Sequence, residues 1–152
     1  MENRPPDSVA ACWGSFPNTI LHFQSTLRLD LRTEIDAGAR QALCRLGFER
    51  TFGIISAQNP MGLMQPPDVN ACLAASLRKE VGKLQTVCRE LDACSSDRTH
   101  CEHSIAIALD LEPIITLAYR YNQLGVFWFD GDVFWIFPAH SNKSPLKLPI
   151  LD

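Results

Sequence analysis

From Thr26 the chain alternates, with Leu27, Leu29 and Leu31 on one side and Arg28, Asp30 and Arg32 on the other. A period of two with one apolar side predicts a half-buried strand near a sheet edge. Ile35, Ala39, Leu43 and Leu46 then recur at helical spacing; Thr33 and Asp36 offer a capping start, and Gly47 is a natural stop. Thr51 to Ala57 is a short, nearly continuous apolar run with adjacent isoleucines, Ile54 and Ile55. That pattern predicts a central strand covered on both faces.

Asn59-Pro60-Met61-Gly62 ends the run, because Pro60 pushes Asn59 out of the helical region and Gly62 accepts positive φ. A loop continues through Pro66 and Pro67, and Asp68 is then an expected N-cap. Val69, Leu73, Leu77, Val81 and Leu84 form one helical stripe, while Arg78, Lys79 and Lys83 fall elsewhere. The pattern leaves two ends open: a stop at Gly82 with a strand over 84–91, or a helix running on to Leu91. Residues 92–101 read as a polar turn, and His103 to Leu109 alternates as a strand through Ile105 and Ile107. Pro113 suits the first turn of a helix carrying Ile114, Ile115, Ala118 and Tyr121, which Gly125 breaks. Val126-Phe127-Trp128-Phe129, Asp130-Gly131-Asp132 and Val133-Phe134-Trp135-Ile136-Phe137 predict a β-hairpin of two aromatic strands.

These elements predict one α+β domain over residues 26–137, with a mixed, mainly antiparallel sheet, about three helices and the C-terminal aromatic hairpin. Residues 1–25 read as an irregular arm and 138–152 as a Pro-containing tail. No repeat or second domain is visible.

Composition narrows the function classes. Hydrophobic residues make up 46% and charged ones 20% of 152 residues, a globular balance. The net charge of −3 with scattered Lys and Arg argues against a nucleic-acid groove, which needs a basic stripe. The N-terminus lacks a secretory pattern, and no apolar run approaches the roughly 20 residues that span a bilayer. A soluble, cytoplasmic chain without membrane partners is therefore expected. In that setting Cys12, Cys44, Cys72, Cys88, Cys94 and Cys101 should be reduced, with Cys44 and Cys72 as small buried hydrophobes.

The segment Gly53-Ile54-Ile55-Ser56-Ala57-Gln58-Asn59-Pro60-Met61-Gly62 resembles the signature of an uncharacterised bacterial family, domain of unknown function 3293. The matching order continues with Asn70, His100-Cys101-Glu102-His103-Ser104, and Gln123 before Gly125-Val126-Phe127. The resemblance spans roughly residues 26–137 and implies the break at Gly82 with a strand over about 84–91. It implies no activity, because the family has none assigned. Two positions depart from it: Gln58, where an aromatic residue is common, and His103 inside the acidic motif.

The candidate site follows as Asn59, Asn70, Glu102, Ser104 and Gln123. Asn59 follows the central strand, where α/β sheets present ligand sites. Asn70 lies in the first turn of the next helix, and Glu102 and Ser104 share side-chain parity. Gln123 ends a helix just before the hairpin. One carboxylate with several amides suits hydrogen-bonded recognition of a base, sugar or amide, and Glu102 is the candidate general base. A working Glu102 is expected to face Asn59 and Gln123 across a cavity. The competing reading is that these side chains cap loops and satisfy buried backbone groups.

Other chemistries are weaker. Cys94, His100, Cys101 and His103 fall within ten residues, with Cys88 nearby, a composition that suits zinc. No ligand spacing accompanies them, and His100 and Cys101 would point to opposite faces of an extended chain. Cys101 or Ser104 with His103 would need strand neighbours to meet, and Gly-x-Ser-x-Gly, P-loop and Gly-x-Gly-x-x-Gly motifs are absent. No metal is assigned and no cofactor can be named. The leading expectation is a domain recognising a small molecule or nucleotide, with enzymatic use of Glu102 left open. The alternative is an interaction module, or a homodimer, built on Phe127, Trp128, Phe129, Phe134, Trp135 and Phe137.

Overall fold

The computed structural model describes residues 13–24 and 26–151. Residues 1–12 of the expected arm, with Cys12, lie outside the described residues. The strands are β1 (Thr19–Phe23), β2 (Leu27–Asp30), β3 (Phe52–Ser56), β4 (Cys88–Ser95), β5 (Cys101–Ile107), β6 (Gly125–Phe129), β7 (Phe134–Pro138) and β8 (Leu146–Lys147). The helices are α1 (Ala37–Arg45), α2 (Pro67–Gly82) and α3 (Leu111–Arg120), and residues 13–15 are also helical.

All eight strands join one sheet in the order β2-β1-β4-β5-β3-β6-β7-β8. Every pairing is antiparallel, so the α+β class holds and the expected mixed sheet does not. Leu21 and Leu29 near one edge share a cluster with Phe134 and Ile136 near the other, because the sheet curls into a half-barrel. Leu43 of α1 and Phe48 plug its inner face. On the outer face Leu77 and Val81 of α2 and Ile114, Leu117 and Ala118 of α3 cover Ile55, Ile105, Ile107 and Trp128.

β3 is central, and all five of its residues are buried, as its unbroken apolar run requires. Burying an Ile or Phe side chain contributes about 2 kcal/mol, so Phe52, Ile54 and Ile55 anchor both layers. Gly53 permits the approach of α3: a Cβ there would lie 2.6 Å from Ile114 Cγ2.

Several expected boundaries shift. Residues 19–23 form β1 rather than part of an arm, pairing β2 on one side and β4 on the other. Ile20 and Leu21 are both buried, on opposite faces, and that hides the alternation in sequence. The expected tail returns as β8, and Leu148 is buried in the inner cluster. Asp36 caps α1 by accepting the Ala39 N–H at 2.7 Å. Pro66, not Asp68, precedes the first turn of α2, since Pro67 can occupy a position whose N–H would be unsatisfied anyway. That helix stops at Gly82, but the strand after it runs 88–95 rather than 84–91, and the polar turn shrinks accordingly.

The cysteines also depart from expectation. Cys94 and Cys101 face each other in the β4–β5 register and form a disulfide. Cys44 and Cys72 are exposed rather than core-filling. No described helix is long and apolar enough to cross a membrane.

Candidate functional site

Asn59 follows β3 in the left-handed region, φ 48° and ψ 61°, a conformation Asn tolerates better than most residues. This bend turns its amide back across the loop. Its backbone N–H donates to Asn70 Oδ1 at 2.9 Å, and its Oδ1 accepts from Asn70 Nδ2 at 2.8 Å and from the Gln65 N–H at 3.0 Å. Its Nδ2 donates to Glu102 Oε1 at 2.9 Å. Buried polar groups need such partners, and Asn59, only 6% exposed, has them on every polar function of its side chain.

The four residues Asn59, Asn70, Glu102 and Gln65 are thus one network joining the β3 end, the following loop, α2 and β5. Asn70 spends both ends of its amide on Asn59, so it positions Asn59 rather than facing open solvent. Glu102 touches Asn59 directly instead of facing it across the expected cavity. Two clefts of about 450 and 440 Å³ lie elsewhere, around Arg40 and Lys147 and around Arg50 and Asp110. Asn59, Ser104 and Gln123 are buried there, while the Glu102 side chain at the rim is 24% exposed.

Ser104 and Gln123 join less directly. Ser104 Oγ donates to the Glu102 carbonyl at 3.2 Å, and register with Ser56 places both serines on the inner face. Gln123 Nε2 donates to the Gln58 carbonyl at 3.1 Å and the Tyr121 carbonyl at 3.3 Å, tying the end of α3 to the loop after β3.

Gln65 and two further neighbours, Gln58 and His100, were not among the candidate ligand-binding residues. Gln58 Oε1 accepts the His103 N–H at 2.8 Å, binding the loop to β5. A phenylalanine or tryptophan at this position could not accept that bond. His100 Nε2 lies 3.7 Å from Glu102 Oε1, an ion-pair distance, on the same face two residues away. Interaction with the Glu102 carboxylate raises the His100 pKa above the ordinary imidazole value, against the opposing effect of burial. A carboxylate and an imidazole at i and i+2 of a strand were the available signal.

Glu102 keeps a side chain 24% exposed, with one oxygen fixed by Asn59 and Oε2 carrying no hydrogen bond among the described residues. A carboxylate with one anchored and one open oxygen can accept a ligand's N–H or O–H, and it can take a proton from a bound water.

His103 belongs to the opposite face. Its Nε2 meets Glu90 Oε1 at 2.9 Å and its Nδ1 lies 3.5 Å from Asp92 Oδ1. Arg78 and then His103 hold the Glu90 carboxyl below its ordinary value. The departure at His103 therefore leaves Glu102 untouched. No group of His, Cys, Asp and Glu among the described residues has metal-binding geometry. The hairpin rings are largely enclosed, with Phe127, Phe129 and Phe134 in the inner cluster and Trp128 in the outer one.

None of the curated proteins and none of the solved structures matches this chain. A family model does match, from the strand that ends at the Asn59 bend to the start of the hairpin, and so encloses the whole Asn59–Asn70–Glu102–Gln123 arrangement. Over residues 55–126 the chain matches the family described as Protein of unknown function (DUF3293).

Proposed function

We propose that this domain recognises a small polar molecule, a nucleotide or a sugar- or amide-bearing compound, through the Glu102 rim. The observation that carries the reading is the asymmetry of Glu102. Asn59 commits its Nδ2 to Oε1, the oxygen that also lies 3.7 Å from His100 Nε2, and Oε2 accepts no hydrogen bond among the described residues. Structural carboxylates in loops ordinarily use their acceptors on local backbone N–H groups. Asp97 does so here, accepting from the Thr99 N–H at 3.0 Å and from the Thr99 and Ser95 hydroxyls. Glu102 accepts no backbone N–H among the described residues.

In this reading Asn59, Asn70 and Gln65 hold the carboxylate, Gln58 and Gln123 fix the loop, and Ser104 steadies the strand. Glu102 accepts hydrogen bonds from the ligand, and protonated His100 meets an acceptor or negative charge beside it. The same pair has the composition of an acid–base couple, so catalysis would place Glu102 as general base. The hairpin offers little aromatic surface to a partner, which supports the rim over the interaction reading. A thermal-shift screen against nucleotides, sugars and amides tests the proposal. A stabilising hit that Glu102→Gln abolishes supports it, and silence across all three classes counts against it.

A further inference from the structure

The disulfide Cys94–Cys101 lies on the strand that carries the proposed site. Cys101 falls between His100 and Glu102 in the chain. Its side chain points to the outer face, whereas register with Ser95 and Ala93 turns His100 and Glu102 to the inner one. The bridge therefore clamps the backbone segment linking the two site residues from behind. Beyond it lies only the turn at 96–100, held by the Ser95 N–H to the His100 carbonyl at 2.8 Å and by the Asp97 side chain.

The two cysteines are unequally exposed. Cys94 is 1% exposed and packed beside Ile20, whereas Cys101 is exposed. An incoming thiolate can reach Cys101 while Cys94 is shielded. The described cysteines outside this bridge, Cys44, Cys72 and Cys88, are free thiols.

We propose that the Cys94–Cys101 disulfide is a reducible clamp that regulates the Glu102 rim, locking the His100–Glu102 pair in its binding geometry when oxidised and loosening it when reduced. This rests on the reading of that rim as the ligand site. The reductant is a dithiol. One of its thiolates attacks Cys101 Sγ, the S–S bond breaks, and Cys94 leaves as a thiolate that takes a proton. The second thiol of the reductant then attacks its own sulfur in the mixed disulfide. Cys101 is released as a thiol and the dithiol ends as a disulfide, so two electrons and two protons pass to the protein. Without the clamp, the end of β5 is held by the turn hydrogen bonds, the β4–β5 pairing and the Asn59 and Gln58 side chains, with no covalent tie, and local opening becomes easier.

The test needs no ligand. The chain is prepared without reductant, its Cys94–Cys101 linkage confirmed by peptide mass mapping, and the His100 imidazole titrated by NMR before and after dithiothreitol. The oxidised protein should show a raised His100 midpoint. Reduction should bring it down toward the ordinary imidazole value and speed exchange of the Ser95 amide. The double variant Cys94→Ser, Cys101→Ser should show the reduced behaviour at once and not respond to dithiothreitol. Full alkylation of both cysteines in protein kept under an oxidising glutathione buffer would overturn the proposal. So would the same His100 midpoint and Ser95 exchange rate in both states. A failed ligand screen on oxidised protein with the His100 shift intact would count against the binding reading and leave the clamp standing.

Discussion

Asn59 Nδ2 donates to Glu102 Oε1 at 2.9 Å, joining two residues 43 positions apart and fixing one oxygen of a carboxylate whose other oxygen is open. The amide can do this because its remaining functions are already occupied by Asn70 and Gln65. Replacing Asn59 should therefore affect both backbone and network. Asn59→Gly keeps the left-handed bend and removes the side chain, and leaving Asn70 Nδ2, the Gln65 N–H and Glu102 Oε1 without that partner should cost about 1–3 kcal/mol. Asn59→Ala should cost about 1 kcal/mol more, because alanine resists positive φ. Urea denaturation of the two variants measures the difference. Equal stability would mean that the bend relaxes when the side chain is lost.

Gly53→Ala tests the packing that places β3 beneath α3. The added methyl would fall 2.6 Å from Ile114 Cγ2 and 2.8 Å from Ile114 Cγ1. Overpacking of this kind costs about 1–3 kcal/mol. Pairing Gly53→Ala with Ile114→Ala, which removes both of those carbons, should cost less than the sum of the two single changes, read as a positive coupling in a double-mutant cycle.

The structure also sets signs for pH dependence. His100 has a raised pKa in the fold, so its contribution is fully present below the ordinary imidazole value and is lost as pH rises through the higher folded value. Asp97 behaves oppositely. Hydrogen bonds from the Thr99 N–H, the Thr99 hydroxyl and the Ser95 hydroxyl hold its pKa at about 2. Its contribution is present above the ordinary carboxylate value and is lost as pH falls toward about 2. Urea midpoints measured from pH 2 to 9 should show a neutral-side decline that His100→Gln removes and an acid-side decline that Asp97→Asn reduces.

The sequence made the middle of this fold legible and its edges obscure. The unbroken run Phe52–Ser56 identified the central strand, and the bend after it could be read from Asn59-Pro60. β1 escaped because Ile20 and Leu21 bury both faces at once, so no period of two appears. β8 escaped because two residues with prolines nearby carry no periodic signal. The site residues could be named from their order in the chain, but their connections could not. That Asn70 grips Asn59 with both ends of its amide is a fact of tertiary geometry. The role of Gln58 was hidden for the same reason, since its partner is a backbone N–H 45 residues away. The disulfide needed the β4–β5 register before its two cysteines could be paired.

The central claim is that Glu102 serves a ligand rather than the fold, and Glu102→Gln tests it with the least disturbance. The glutamine oxygen can still accept the Asn59 Nδ2 proton, so the network should survive and only the charge at the open position should go. The direct measurement is ligand-induced thermal stabilisation of wild type and Glu102→Gln, side by side, against nucleotides, sugars and amides. Wild type should gain about 2.7 kcal/mol from a ligand at 100 times its dissociation constant. The variant should melt within about 0.5 kcal/mol of wild type and gain nothing. A variant destabilised by about 1–3 kcal/mol, the scale of a lost charged hydrogen bond, with stabilisation by ligand unchanged, would contradict the claim and make Glu102 a structural residue.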